Sequence, residues 1–261
     1  METKLLLKSL KRLVPVAWRT PLRRYLDLVR HFGLAHECNI CGARLAKFLA
    51  HGVHLPPDYQ VEENFLCPLC RSKPPHRLAS FYFDRHPEAF IPETILVHVA
   101  PETGLGSRLA RLSAARGMHY RSGDVRDVGE SHLDILALPF PDDSVHIFYC
   151  CHVLNALQDD RAAMREVHRV LSPAGLAILQ VPAFFRGATT LETNSEAERI
   201  ATFGDALVYR NYADADYRAR LSAAGFEVAS FHADEVPSAL ASRFQLKREF
   251  FHLCRKRVTH P

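Results

Sequence analysis

From Thr94 onward the chain alternates short apolar runs with segments of helical period, and this alternation restricts the fold more than any other feature. Ile95 to Val99 reads as a buried strand. Leu105 to Leu112 reads as a helix with Leu105, Leu109 and Leu112 on one face. His119 to Ser122 is a weaker second strand, and Val145 to Cys150 a third. Arg161 to Leu171 is helical, with Met164, Val167 and Leu171 on one face and Pro173-Ala174-Gly175 closing it. Leu176 to Val181 is a further strand. Tyr217 and Leu221 then mark a helix, and Phe226 to Phe231 and Glu249 to Arg255 the last strands. Alternation of this kind specifies an α/β chain with a mostly parallel sheet and helices on both faces. The 261 residues are 48% hydrophobic and 24% charged, which excludes wholesale disorder and suits one catalytic-sized domain with a small appendage. No apolar run approaches the roughly 20 residues of a membrane-spanning helix.

Ahead of that body lie Cys38-Asn-Ile-Cys41-Gly42 and Cys67-Pro-Leu-Cys70, two Cys-x-x-Cys pairs separated by 25 residues. Each pair on a tight turn aims two thiolates at one point. Cys38, Cys41, Cys67 and Cys70 together are expected to close a tetrahedral structural Zn²⁺ site, with no open position for catalysis. The other three of the seven cysteines, Cys150, Cys151 and Cys254, fall in apolar strands and are expected to pack. Domain boundaries follow: residues 1–35 a basic amphipathic helical segment, 36–88 the zinc module with a linker helix, and 89–261 the α/β domain.

The first segment carries Lys4, Lys8, Lys11, Arg12, Arg19, Arg23, Arg24 and Arg30 against Asp27 alone. Leu22, Leu26 and Val29 share a helical face after the Thr20-Pro21 start. A helix packed on the body with its charges in water is expected. The alternative is a basic arm that touches a membrane surface or RNA. No secretion signal is read, because Leu5 to Leu7 is cut off by Lys8, so a reducing, cytoplasmic setting is expected.

Sheets of this type bind ligands beyond the carboxyl ends of their strands. The loop after the first strand reads Ala100-Pro101-Glu102-Thr103-Gly104-Leu105-Gly106, with Gly104 where a cofactor would approach the backbone. Asp124, twenty residues beyond Gly104, ends the second strand and can accept from both ribose hydroxyls of an adenosine cofactor. Asp134, next to Ile135, could take the exocyclic amine of adenine.

With Leu138-Pro139-Phe140-Pro141-Asp142, Cys151-His152-Val153-Leu154, the stretch Asp159 to Gly175 with its Leu-Ser-Pro-Ala-Gly end, and Ala223-Ala224-Gly225-Phe226, residues 90–256 resemble the class I S-adenosylmethionine-dependent methyltransferases. More narrowly, the chain resembles type 11-like bacterial members that place a two-pair zinc module first and carry Ala-Pro-Glu in the first loop. The resemblance implies a Rossmann-like, seven-stranded, mostly parallel sheet and S-adenosylmethionine as cofactor. It places His98, Ala100, Glu102, Gly104, Asp124, Asp134, Ile135 and Cys151 around that cofactor. The chain departs from the family pattern in having His98 in place of an acid, Ala100 and Glu102 in place of glycines, His146 in place of an acid, and Asn155-Ala156 in place of Glu-His.

Methyl transfer is an in-line displacement that needs a placed nucleophile and, for some acceptors, a base. His152 is the first candidate base. The stretch Ala183 to Tyr212, with Phe184, Phe185, Arg186, Glu192, Thr193, Tyr209, Arg210 and Tyr212, is expected to wall the acceptor, and Glu192 and Tyr209 are the further catalytic candidates. The expected activity is O- or N-methylation of a small molecule or glycan in bacterial biosynthesis (EC 2.1.1.-). Two alternatives stand beside it. One is a ribosomal or transfer RNA base methyltransferase tracking RNA with Lys73, His76, Arg77 and the basic N-terminus; the other is a non-catalytic zinc-containing scaffold.

Overall fold

In the computed structural model, residues 25–55, 58–126, 131–182 and 188–257 are described. The central apolar runs pair as strands that are buried on both faces. β5 (Ile95–Val99) is the centre, with β6 (His119–Asp124) and then β7 (Ser131–His132) on one side and β8 (Val145–Cys151) and β9 (Leu171–Gln180) on the other, all parallel. β13 (Phe250–Lys256) runs antiparallel beside β9, and β12 (Phe226–His232) closes the edge antiparallel to β13. The seven-stranded order is β12-β13-β9-β8-β5-β6-β7. This is the mixed, mostly parallel α/β architecture that the alternation and the resemblance specified.

Alternate residues of each strand serve opposite cores. Val97, Val99, Phe148, Cys150, Ala177 and Leu179 meet α3 (Asp160–Val170) and α5 (Asp214–Ala223) on one face. Leu96, Ile147, Tyr149, Cys151 and Ile178 meet α1 (Pro74–Arg85), α2 (Thr103–Ala115) and the cysteine module on the other. The adjacent cysteines 150 and 151 therefore face opposite cores, and Cys151 is on the module's side.

α3 starts at Asp159, whose Oδ1 accepts from the Ala162 amide at 2.8 Å, and it buries Ala163, Met164, Val167 and Val170. Its last turn explains why this helix and the Leu138–Asp142 turn occur together. The Arg169 guanidinium donates to the Leu138 and Phe140 carbonyls at 3.1 and 3.0 Å, and Glu166 Oε1 accepts from the Leu138 amide at 2.9 Å. Pro173-Ala174-Gly175 does not close the helix. β9 begins at Leu171, directly after α3, and its pairing with β8 shifts register between Val145 and Ile147.

The module consists of two small antiparallel pairs. β1 (Phe32–Glu37) joins β2 (Arg44–Leu45), and β3 (Leu49–Leu55) joins β4 (Asp58–Leu66). Arg77 locks it to the α/β domain. This side chain is wholly buried, donates to the Phe65 and Ser72 carbonyls at 3.1 and 2.9 Å, and reaches Phe244 and Gln245 at the end of α6 (Ser238–Phe244) at 2.6 and 3.0 Å. Residues 25–31 are helical. The sequence readings at Lys4 to Arg24 and at Ala183 to Arg186 lie outside the described residues.

Candidate functional site at the strand ends

The register lines up one row of residues at the carboxyl edge of the sheet. Val99 pairs with Gly123 and with Cys150, and Cys151 pairs with Gln180. Ala100, Asp124, Cys151 and Gln180 therefore stand side by side, with β5 and its loop at the centre. This is the position at which open α/β sheets bind ligands.

Ala100 has φ +50°, a left-handed conformation that glycine adopts without strain. The family's glycine at this point thus meets a real backbone demand, which alanine fulfils here at a cost. Its amide donates to the Gly123 carbonyl at 2.8 Å, which ties the loop to β6. Gly104 is required for a different approach from the one expected. A Cβ there would sit 2.8 Å from the Cys70 carbonyl oxygen and 3.2 Å from its Sγ. The neighbour that the missing side chain admits is the cysteine module.

Between them lies Glu102. Its Oε1 is 3.1 Å from Nε2 of His76, and its Oε2 is 3.1 Å from Nε2 of His98. The ring protons can be assigned from the partners. The Lys73 amide donates to Nδ1 of His76 at 3.3 Å, so that ring carries its proton on Nε2 and gives it to Glu102. His98 gives its Nε2 proton to the same carboxylate, and its Nδ1 accepts from the Tyr120 hydroxyl at 3.0 Å. Burial pushes the Glu102 carboxyl up, yet the two imidazoles hold it well below the usual carboxylate range. The result is a fixed anion at the mouth of the β5 loop. His98, fully buried against Tyr149, serves as a support of that anion.

Asp124 is buried at the end of β6. Its Oδ1 accepts from the Arg126 amide at 2.9 Å, and the exposed Arg126 guanidinium lies on Oδ2 at 3.0 Å. The hydrogen bonds from Arg126 lower its pKa. Because Asp124 pairs with His132, Asp134 and the buried Ile135 follow close behind it; Asp134 Oδ1 accepts from the Leu136 amide at 2.9 Å.

His152 follows β8 with φ +57°, its amide donating to the Gln180 carbonyl at 2.8 Å. Its Nε2 is buried with no hydrogen-bond partner among the described residues, and burial pushes the imidazole down to about 3. The ring is neutral at physiological pH. The Cys151 thiol faces Gln180 Oε1 at 3.6 Å, and burial keeps it protonated.

Glu192 and Tyr209 are brought together, but by structural ties. β10 (Leu191–Glu192) pairs with β11 (Arg210–Asn211), and the Glu192 carboxylate accepts from Arg210 at 2.8 Å and from Arg220 at 3.0 Å. Arg220 and the Tyr212 hydroxyl also meet the buried Asp160, at 3.0 and 2.7 Å. The Tyr209 ring lies under the Arg199 guanidinium at 4.2 Å, and its amide donates to the Asn155 carbonyl at 2.9 Å, which sets this wall beside the turn that follows His152.

In the module, the Cys38 and Cys70 sulfurs are 3.6 Å apart and those of Cys41 and Cys67 3.8 Å. All four sulfurs lie within 4.8 Å of one another. Sequence reasoning missed His76 as a partner of Glu102 at this edge of the sheet. Its place at the start of a helix was legible; the loop on which that helix docks was not.

The family model described as methyltransferase domain matches residues 105–179, from the helix after β5 through to β9. Over that span the chain carries a methyltransferase domain, and the protein is an S-adenosylmethionine-dependent methyltransferase. Its methyl donor is S-adenosylmethionine. The methyltransferase shares its fold with an S-adenosylmethionine-dependent methyltransferase of Mesorhizobium loti at 13% identity, covering 69% of this chain and 98% of that one with a TM-score of 0.50. A methyltransferase of Archaeoglobus fulgidus matches at 9% identity over 69% and 94% of the two chains, TM-score 0.45. A chain from the Haloferax volcanii complex of the Trm112 methyltransferase activator with a methyltransferase matches at 17% identity over 70% and 93%, TM-score 0.42. No curated protein matches the methyltransferase.

Proposed function

We propose that this methyltransferase acts on O or N of a small molecule or glycan, with a structural zinc ion in the module of residues 38–70. The observation that carries the acceptor reading is the direction in which the module faces. Of the three residues that would begin an RNA track, His76 is turned onto Glu102 and Arg77 is sealed inside; both are buried. The module is thus a wall of the cofactor loop, which suits an enclosed acceptor better than a polyanion laid across the surface.

The four sulfurs suit zinc. Zn–S bonds of about 2.3 Å put tetrahedral ligands about 3.8 Å apart, against the 3.6 and 3.8 Å found here. Four thiolates leave no open position, so the ion would fold the module.

The cofactor supplies an electrophilic methyl group on a sulfonium. Asp124 is proposed to take the ribose hydroxyls once Arg126 swings away, an inexpensive movement because that guanidinium is exposed. The fixed anion of Glu102 would receive the ammonium of the methionine end. Ala100, Gly104 and Cys151 would line the same edge, supported by His98, and Asp134 and Ile135 would border the adenine. His152, neutral and with a free buried nitrogen, is proposed to orient the acceptor and to accept its proton at Nε2 where one must leave. Tyr209 would contribute its half-buried ring to the acceptor wall.

The test is transfer of labelled methyl from S-adenosylmethionine into a fractionated cell extract. Label in the small-molecule or glycan fraction is expected. Label confined to RNA would overturn the acceptor reading.

A further inference from the structure

Residues 25–34 present an apolar face that the body does not cover. Tyr25, Val29 and Phe32 recur at i, i+4 and i+7, with Leu26 beside them, and their exposures are 63, 59, 60 and 56%. Leu34, two residues beyond Phe32 on the same side of β1, is 76% exposed. A helix that owed its pattern to core packing would bury these side chains. Here they are open, while the polar Asp27 and His31 are partly covered.

The charge around this face is mostly basic. Arg30 is exposed on it, and Arg44 and Lys47 are exposed on and just after β2, the partner of β1. In sequence, Lys4, Lys8, Lys11, Arg12, Arg19, Arg23 and Arg24 precede it with no acid from position 4 to 24, and the chain's only tryptophan is Trp18 in that run. Apolar side chains set among cations, with an aromatic nearby, match the acyl boundary and the anionic headgroups of a lipid surface. An RNA partner would use the cations but leave the apolar row without a role. Among the described residues no helix is long and apolar enough to cross a membrane.

We propose that residues 25–34, with Arg30, Arg44 and Lys47 around them, form a docking face for an anionic membrane surface. The methyltransferase would then lie on the bilayer through this face and the β1–β2 end of the module. Each basic residue near such a surface contributes about 1 kcal/mol, about fivefold in affinity, so docking should be strong in low salt and weaken steeply as salt rises.

The experiment is flotation of the full chain with vesicles of phosphatidylcholine containing phosphatidylglycerol, and with phosphatidylcholine alone, at about physiological salt. Flotation with the anionic vesicles only is expected. The double variant Leu26→Glu, Val29→Glu should lose it at least tenfold while retaining metal content and S-adenosylhomocysteine binding. Failure of the wild type to float, equal flotation with neutral vesicles, or undiminished flotation of the folded variant would each overturn the proposal. Tight binding to bulk RNA without flotation, or a dimer abolished by the same substitutions without flotation, would overturn it in favour of another occupant. Should the double variant misfold, loss of wild-type flotation at high salt still supports the docking face, and salt-independent flotation opposes it.

Discussion

Glu102 and His76 share one hydrogen bond, Nε2 to Oε1 at 3.1 Å, and through it the loop after β5 is held by the helix that leaves the cysteine module. Cys70 packs on Gly104 two residues further along. The module and the loop are therefore one mechanical unit.

His76→Ala removes a donor from a buried carboxylate. Such a bond is worth about 1.5–3 kcal/mol, so S-adenosylhomocysteine affinity should fall at least tenfold by calorimetry. The KM for the methyl donor should rise more than kcat falls, and His76→Gln, which keeps an N–H donor, should recover part of the loss. Unchanged affinity in the alanine variant would show that Glu102 does not depend on His76.

Removing the metal should have the same direction of effect. Cys38→Ser, or prolonged chelation, is expected to strip a single equivalent of zinc, unfold the module and weaken cofactor binding although no cofactor contact is altered. Gly104→Ala, which drives a methyl group against Cys70, should lower stability by about 1–3 kcal/mol and reduce metal occupancy. Elemental analysis beside thermal melts checks both; full zinc retention by Cys38→Ser would refute the four-thiolate site.

At the ribose end, Asp124→Ala should weaken the cofactor by about tenfold or more, since it deletes a charged acceptor. Arg126→Ala should leave affinity equal or improved, because its guanidinium competes for that carboxylate. A large loss with Arg126→Ala would mean that the arginine itself binds the cofactor.

Acid should destabilise the protein in a window set partly by His152. Burial lowers this imidazole from 6.5 to about 3. Below about pH 6.5 the unfolded chain binds a proton that the folded one refuses, so stability falls as pH drops from there towards about 3. Glu102, depressed by its two histidines, contributes stability above its unfolded value, which is lost at still lower pH as the carboxylate protonates. Thermal melts of His152→Asn between pH 7 and 5 should show a shallower decline than wild type, and an identical slope would remove His152 from the explanation.

Glu192→Gln separates a structural role from a catalytic one. Arg210 is 1% exposed and keeps its carbonyl partners at Leu157 and Gln158 and the Asp160 carboxylate at 3.7 Å, but it loses the nearer of its two carboxylates. A stability loss of about 1–3 kcal/mol with little change in kcat at a temperature where the variant is folded is the expected result. A collapse of kcat in the folded variant would make Glu192 a participant in the reaction.

Much of this was legible in the chain itself. Buried strands announce themselves as apolar runs, and α3 by a charged outer face and an apolar stripe, because burial repeats with the period of the backbone. The paired cysteines were legible because two tight turns can aim four thiolates at one point whatever surrounds them. The end of α3 was misread, because a Pro-Ala-Gly run that commonly closes a helix stands here within the first residues of β9.

What the sequence determined by itself was the local pattern: a mostly parallel α/β sheet, four cysteines aimed at one point, and acids at the ends of strands. What only the tertiary structure decided was the set of partners. His76 and Arg77 have the composition of a basic surface, yet one holds the Glu102 carboxylate and the other is sealed against four carbonyls. Leu26 and Val29 have the period of a core face, yet they are open to solvent. Periodicity reports that a side chain has a preferred face, whereas the body that meets that face is set by contacts between residues far apart in the chain.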